Sequence, residues 1–145
     1  MVEVYPRCRS REVSEELLGL LVKGWSNVLD ELQNLGVGQI KGIEALEVTL
    51  LDDDEMARVH GEFLNDPTPT DVITFDHGEL LVGVETAARQ ALDYRTSQDG
   101  EIALYGIHGM LHLSGFDDRN PVDAREMKVR QEELFDRFFG GVFTE

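Results

Sequence analysis

Cysteine and proline are scarce in this chain, and no apolar run in it is long. The single cysteine, Cys8, excludes an internal disulfide, and we interpret it as a packing or surface thiol. No linker, repeat or low-complexity run divides the 145 residues, so we expect one domain over residues 1–145. No apolar segment could span a bilayer, and residues 1–11 lack the apolar core of a signal peptide. These absences predict a soluble, cytoplasmic protein with no membrane partner.

Positive charge is also in short supply. The chain has 13 Lys and Arg residues against 29 Asp and Glu, and its formal net charge is −16. Such a field opposes nonspecific binding to nucleic acid, since phosphate contacts require clustered cations, and we expect no DNA partner. Because salt screens charge interactions beyond about 8 Å at physiological ionic strength, a local basic patch can still bind a phosphate. Two basic clusters occur, one of Arg7, Arg9 and Arg11 and one of Arg119, Arg125, Lys128 and Arg130. We interpret both as solvated faces that offset neighbouring acids.

The most informative segment is an apolar run, residues 102–113, in which His108 and His112 are the strongly polar side chains. Residues four apart lie on one face of a helix, so both imidazoles can converge on one point. A helix that is apolar all round is normally buried, and unpaired imidazoles are costly to bury. A divalent metal would satisfy both rings. The alternative is a pair of core histidines bonded to backbone or side-chain acceptors. Three features together favour the metal: the helix is otherwise almost wholly apolar, Gly106 and Gly109 allow close backbone approach, and a carboxylate follows within reach.

The residues after this helix offer a third ligand. Gly115 is placed to end the helix in a left-handed cap and turn the chain back, so the following loop can reach the histidines. Asp118 is the best candidate in that loop. In peptidases with the pattern H-E-x-x-H the residue after the first histidine is the general base, whereas this chain has Gly109 there. An ordinary zinc peptidase is therefore disfavoured.

Hydrophobic periodicity predicts the remaining elements. Residues 13–35 read as a long amphipathic helix, and residues 2–5 and 46–50 as strands, the first at an edge. A helix should follow the N-cap Asp52, with a buried stripe that includes Phe63 and Leu64 and with His60 packed beside it. Residues 71–75 and 79–84 resemble a hairpin with an exposed His77 at its turn.

Three further helices complete the pattern. One covers residues 85–92, the histidine helix begins near Glu101, and the last starts at Asn120 and Pro121 and runs to Phe139. The fold class is therefore α+β. We predict a single domain with a small mixed sheet, several helices and a central buried helix that carries the histidines.

With these motifs placed, the chain resembles the YbeY family of metal-dependent endoribonucleases, which act in ribosomal RNA maturation. The family signature is H-G-x-L-H-L-x-G-aromatic-D-H. The segment from His108 to Asp118 agrees with it in type everywhere except at Asp118, where the family usually has histidine. Matches continue upstream through residues 63–65, 69–75 and 78–79, and downstream through Met127 and residues 131–134. The resemblance covers about residues 46–135.

The resemblance implies one zinc ion per chain, held by His108, His112 and Asp118 with an open position for water. Aspartate is a suitable zinc ligand, although it lowers the net charge of the site by one unit. Asp117 matches the family's aspartate, and we expect it to orient a ligand or cap the loop. The family also has an Arg-rich stretch between the Leu-Asn and Pro-Thr-Asp motifs, whereas here only residues 66–68 intervene.

The resulting expectation is a zinc-dependent hydrolase: a single-strand-specific endoribonuclease that matures the 3′ end of small-subunit ribosomal RNA and contributes to ribosome quality control. Arg119 could assist at the phosphate, and Glu79 or Asp71 could be the general base if the fold brings either near the metal. Both acids also have structural interpretations, Asp71 as a turn cap and Glu79 as the start of a strand. The rival function is a ribosome-associated binding module with a structural metal and weak or lost catalysis.

Overall fold

The computed structural model describes residues 1–143 and contains a four-stranded sheet with helices on both faces. The strands are β1 (Val2–Pro6), β2 (Leu46–Leu51), β3 (Val72–Phe75) and β4 (Glu79–Gly83). The α-helices are α1 (Glu15–Leu35), α2 (Asp53–Leu64), α3 (Val84–Tyr94), α4 (Gln98–Leu113) and α5 (Pro121–Phe139), and a 3-10 turn covers Gln39–Gly42. The predicted α+β class with a mixed sheet is confirmed.

The sheet order is β1-β2-β4-β3, with β1, β2 and β4 parallel and β3 antiparallel to β4. The predicted hairpin of β3 and β4 and the edge position of β1 are therefore confirmed. Register places Val48 beside Leu80 and Leu80 beside Thr74, so these three side chains share one face. The neighbouring row, Glu47, Glu79 and Phe75, points to the opposite face because side chains alternate along a strand.

The two faces are covered unequally. One face, with Val48 and Leu80, forms the main core together with α1, α4 and α5. The other face is covered by α2, through Met56 and Val59, which pack on Leu51, Ile73 and Leu81 in a smaller cluster.

Phe63 and Leu64 contradict the predicted buried stripe of α2. Phe63 is 61% exposed and Leu64 is 58% exposed. Both lie in the last turn of α2, beside the edge strand β3, and residues 1–143 supply no strand beyond β3 to cover them. The helical pattern is confirmed, but the described chain leaves the final turn of the helix exposed.

Helix α4 lies at the centre of the main core and contacts α1, α3, α5, β3 and β4. It begins at Gln98, about one turn before the predicted start, because the Ser97 hydroxyl accepts a hydrogen bond from the Gly100 amide. Gly106 lets α1 approach closely: a Cβ there would lie 2.3 Å from the Trp25 ring. The Trp25 indole N–H donates to the Ala103 carbonyl across the same contact, at 2.9 Å.

Helix α4 ends as the sequence predicted. Gly115 has φ of +92°, the Gly115 amide donates to the His112 carbonyl and the Phe116 amide donates to the Leu111 carbonyl. This is a Schellman motif, which reverses the chain directly after the second histidine. Among residues 1–143, no helix is both long and apolar enough to cross a membrane.

We predict that Gly106→Ala lowers the free energy of unfolding by about 1–3 kcal/mol, because the added methyl group overpacks the Trp25 contact. Urea unfolding measures this difference. The matched control is Gly19→Ala on α1, where a Cβ would meet nothing within 4 Å. That change should be neutral or stabilise by up to about 1 kcal/mol. Equal effects of the two substitutions would contradict this account of the interface between α1 and α4.

Candidate metal centre

His108 and His112 lie one turn apart on α4 and point their Nε2 atoms at each other, at a distance of 3.1 Å. Each ring is fixed at its other nitrogen. The Nδ1–H of His108 donates to the Gln131 side-chain oxygen at 2.7 Å, and the Nδ1–H of His112 donates to the Phe116 carbonyl at 3.2 Å. A neutral imidazole that donates from Nδ1 has a lone pair at Nε2. The two Nε2 lone pairs therefore face one another, an arrangement that favours a shared cation.

Asp118 completes a group of three possible ligands. Its Oδ2 lies 3.8 Å from the His108 Nε2, and one ligand atom from each of the three residues lies within 4.8 Å of the others. Ligands about 2.0–2.1 Å from a tetrahedral zinc ion are about 3.3 Å apart, so the spacing fits a zinc-sized ion after a small adjustment. In the described part of the chain, one group of three or more His, Cys, Asp or Glu side chains lies close enough to share a metal ion, and it is this one.

The loop after α4 presents Asp118 through its neighbours. The Asp117 carboxylate accepts a hydrogen bond from the Asp118 amide at 2.7 Å and forms an ion pair with Arg119 at 2.8 Å. Asp117 therefore holds the loop backbone that carries the third candidate ligand. The Asp118 side chain remains 51% exposed and the His108 side chain 24% exposed, so the group opens to solvent on one side.

A cleft of about 670 Å³ adjoins this group at His112. Its wall includes His112, Asp117, Arg119, Thr74 and Asp76. Arg119, which the sequence suggested as a catalytic assistant, is thus at the cleft with an 87% exposed side chain. Its catalytic role stays a prediction.

The two proposed general bases lie elsewhere. Glu79 is in the sheet row with Phe75, on the face opposite α4, and its carboxylate lies 3.5 Å from the His77 ring. This placement gives the base role no support, and the interpretation of Glu79 as the first residue of a strand agrees with the structure. A general-base function for Glu79 stays an untested prediction.

Asp71 directly precedes β3. Its carboxylate accepts hydrogen bonds from the Val72 amide at 2.7 Å and from the Thr70 hydroxyl at 3.3 Å, which is the local capping role that the sequence allowed. It also lies near Tyr105 of α4. Burial raises the pKa of the Tyr105 phenol, and the Glu101 and Asp71 carboxylates raise it further. In residues 1–143 the buried Tyr105 hydroxyl has no hydrogen-bond partner. Asp71 is outside the three-residue group, and its catalytic role also stays a prediction.

Neither of the other two histidines takes part. His60 bonds to the Thr68 carbonyl at 2.7 Å and ties α2 to the loop before β3. The His77 side chain is 71% exposed at the hairpin turn, as predicted.

The basic clusters are partly neutralised by acids. Arg11 pairs with Asp99, Arg119 with Asp117, and Arg130 with Glu31 and Glu133. This agrees with their interpretation as solvated faces.

Sequence reasoning missed Gln131, since its contact with His108 spans 23 positions in the chain. A signal was present in retrospect. Gln131 is a polar residue of intermediate burial on α5, one turn before the buried Leu134, and α5 packs directly on α4. It is the side chain that sets the orientation of the first histidine.

Two converging histidines on a helix and a carboxylate from the next loop place the protein among α+β domains with a group that could hold a metal ion. Comparison with known proteins identifies its family. The family model described as Endoribonuclease YbeY matches residues 7–139. The chain belongs to the YbeY family.

Individual relatives of this chain carry the name of the same family. A protein of an Exiguobacterium species named Endoribonuclease YbeY is 34% identical over 123 residues, covering 69% of this chain and 78% of the relative. One from Bacillus mycoides with the same name is 27% identical and covers 89% of this chain and 91% of the relative. A solution structure from Thermotoga maritima has the same fold, with a TM-score of 0.64 at 23% identity over 97% of this chain and 90% of that one.

We predict that Gln131→Ala weakens zinc binding by about 10- to 100-fold, because His108 loses the acceptor that orients its ring. Gln131→Glu should keep most of the affinity, since a carboxylate accepts the same N–H. Competition with a chromophoric chelator measures the dissociation constant. The control is Val129→Ala, which removes a 64% exposed side chain from the same helix. Unchanged affinity in Gln131→Ala would show that the hydrogen bond does not position the ligand.

Proposed function

We propose that this protein is a zinc-dependent endoribonuclease that cleaves single-stranded RNA. Family membership supports the nuclease activity, since the relatives are named endoribonucleases. The single observation that carries the metal is the convergence of two Nε2 atoms 3.1 Å apart with the Asp118 carboxylate. In our proposal His108, His112 and Asp118 hold one zinc ion. Zinc bound there would supply a Lewis acid and a water of lowered pKa for phosphodiester hydrolysis.

The protein's own residues would prepare the reaction as follows. Gln131 and the Phe116 carbonyl hold both imidazoles aligned, so that no reorientation is needed when substrate arrives. Asp117 holds the Asp118 backbone and the Arg119 guanidinium at the rim. Arg119 can then contact a phosphate in the cleft, because its side chain extends into solvent beside His112. We assign no general base, since Glu79 and Asp71 lie outside the three-residue group.

The substrate we propose is ribosomal RNA, at the 3′ end of the small-subunit species, within the cytoplasm and in contact with the ribosome. The family resemblance supports this assignment.

A second function remains in competition with the first: a ribosome-associated module whose metal is structural. The acidic wall residues Asp76 and Asp117 favour it, because they repel a phosphate backbone. The open cleft favours the enzyme, since structural zinc sites are closed by four protein ligands and catalytic sites keep one position free.

We predict that the purified protein binds about one zinc ion per chain and loses it when His108 is replaced by Ala, because two protein ligands are too few to retain the ion. Elemental analysis after dialysis measures the content. His77→Ala, at the exposed hairpin turn, is the matched control and should bind like the wild type. Cleavage of an unstructured RNA should stop on chelation and return with added zinc. Zinc binding without any RNA cleavage would instead support the structural-metal module.

Asp118 gives a sharper test of the ligand set. Asp118→Ala should weaken zinc binding, whereas Asp118→His should retain the ion and restore the three-histidine site typical of the family. The more positive site should stabilise the developing charge on a phosphoryl group better, so we expect cleavage at least equal to that of the wild type. Zinc content must be measured beside activity, since imidazole and carboxylate differ in reach. Full zinc affinity in Asp118→Ala would show that Asp118 is not a ligand.

A further inference from the structure

An exposed apolar surface lies beside the metal centre. We call it the apolar platform and define it as Phe63, Leu64 and Phe75. Phe63 and Leu64 are adjacent in the chain and both more than half exposed. Contiguous exposed apolar surface of this kind commonly marks a binding site.

The aromatic rings of the platform are ordered by mutual contact. Phe63 meets Phe75 edge to face, with centroids 5.5 Å apart and an interplanar angle of 80°. Phe75 in turn stacks on the His77 ring at 5.8 Å and 26°. Phe75 therefore contacts both Phe63 and His77, and the Phe63 side that does not meet Phe75 contributes to its 61% exposure. This leaves an aromatic surface on which a planar group can stack.

The platform is continuous with the cleft of the metal centre. A recess of about 400 Å³ is lined by Phe63 and Phe75 and also by Thr74 and His112. Leu64, Thr74 and His112 line the cleft as well. A molecule on the platform can therefore extend along the recess to His112.

Charge in the cleft limits what can hold a polyanion there. Arg119 is the single cation among the cleft-lining residues of the described chain, and Asp76 and Asp117 are anions. Each phosphate neutralised on a single strand contributes about −0.7 to the slope of log affinity against log salt. With one arginine available, backbone contacts alone bind RNA weakly. Base stacking on aromatic side chains supplies affinity that does not depend on cations.

We propose that the apolar platform is a stacking subsite for one unpaired nucleobase of the substrate RNA, with Phe63 as its specificity-determining residue. The proposal rests on the nuclease function proposed above and deepens it. A base on Phe63 places the adjoining backbone over the recess that leads to His112. Bases inside a duplex are already stacked and paired, so the subsite selects single strands.

The test is the affinity of an unstructured fluorescent oligoribonucleotide, measured by anisotropy with the chelated protein, because chelation prevents cleavage of the probe. We expect Phe63→Ala to weaken binding by about 5- to 100-fold, the range for losing one stacked base. Phe63→Leu keeps apolar volume without a ring and should weaken binding similarly, while Phe63→Trp should bind at least as tightly as the wild type. Tyr94→Ala, which removes a 68% exposed aromatic residue on α3, is the matched control and should leave affinity unchanged.

Two further readouts separate stacking from general loss of binding. A 2-aminopurine base in the oligonucleotide should be quenched by the wild type and not by Phe63→Ala, and the salt slope should be the same for both proteins, no steeper than about −1. Zinc content and thermal midpoint should match the wild type, because Phe63 is exposed.

Three outcomes would overturn the proposal. Equal RNA affinity of the wild type and Phe63→Ala removes the subsite while leaving the nuclease function intact. If Phe63→Ala loses as much affinity for a matched RNA duplex as for the single strand, stacking of an unpaired base is excluded. A wild-type protein that binds zinc but neither binds nor cleaves RNA overturns both this proposal and the proposed function.

Discussion

The constraint on which the site depends is the close packing of α4 against α1 and the sheet. Gly106 faces the Trp25 ring, and a Cβ on Gly109 would lie 2.9 Å from Leu80, so side chains at these positions would push the helix outward. Because α4 lies so deep, His108 and His112 project from a helix that is otherwise mostly buried, and His112 lines a cleft. Their polarity is costly in that position unless both ring nitrogens find partners.

Those partners come from two different directions. The Schellman motif returns the chain so that the Phe116 carbonyl meets the ring of His112, and α5 brings Gln131 to His108. Both imidazoles are therefore held with their Nε2 atoms facing each other before any ligand arrives. Preorganisation of this kind lowers the cost of binding, since little conformational freedom remains to be lost. The cap that ends α4 and the helix that follows it thus serve the site as well as the fold.

The surface around the site departs from the usual design of an RNA-binding protein. The chain has a net charge of −16, and several arginines are engaged by acids, among them Arg11, Arg119 and Arg130. The last turn of α2 exposes Phe63 and Leu64, and Leu64 lines the cleft. Few cations and exposed apolar side chains therefore occur in the same region, which is why we propose that this surface recognises bases rather than phosphates.

Local patterns in the sequence determined most of the secondary structure and the three members of the candidate site. Spacing of four residues places His108 and His112 on one face of any helix, and a glycine with positive φ after that helix reverses the chain toward it. These features need only short-range geometry. Tertiary structure alone decided the rest. Register put Glu79 on the sheet face away from α4, helix packing brought Gln131 to His108 across 23 positions, and the edge position of β3 left Phe63 exposed. Each of these placements depends on which layer of the fold lies next to the residue. Periodicity predicts which side of a helix or strand a side chain faces, but it does not predict what covers that side.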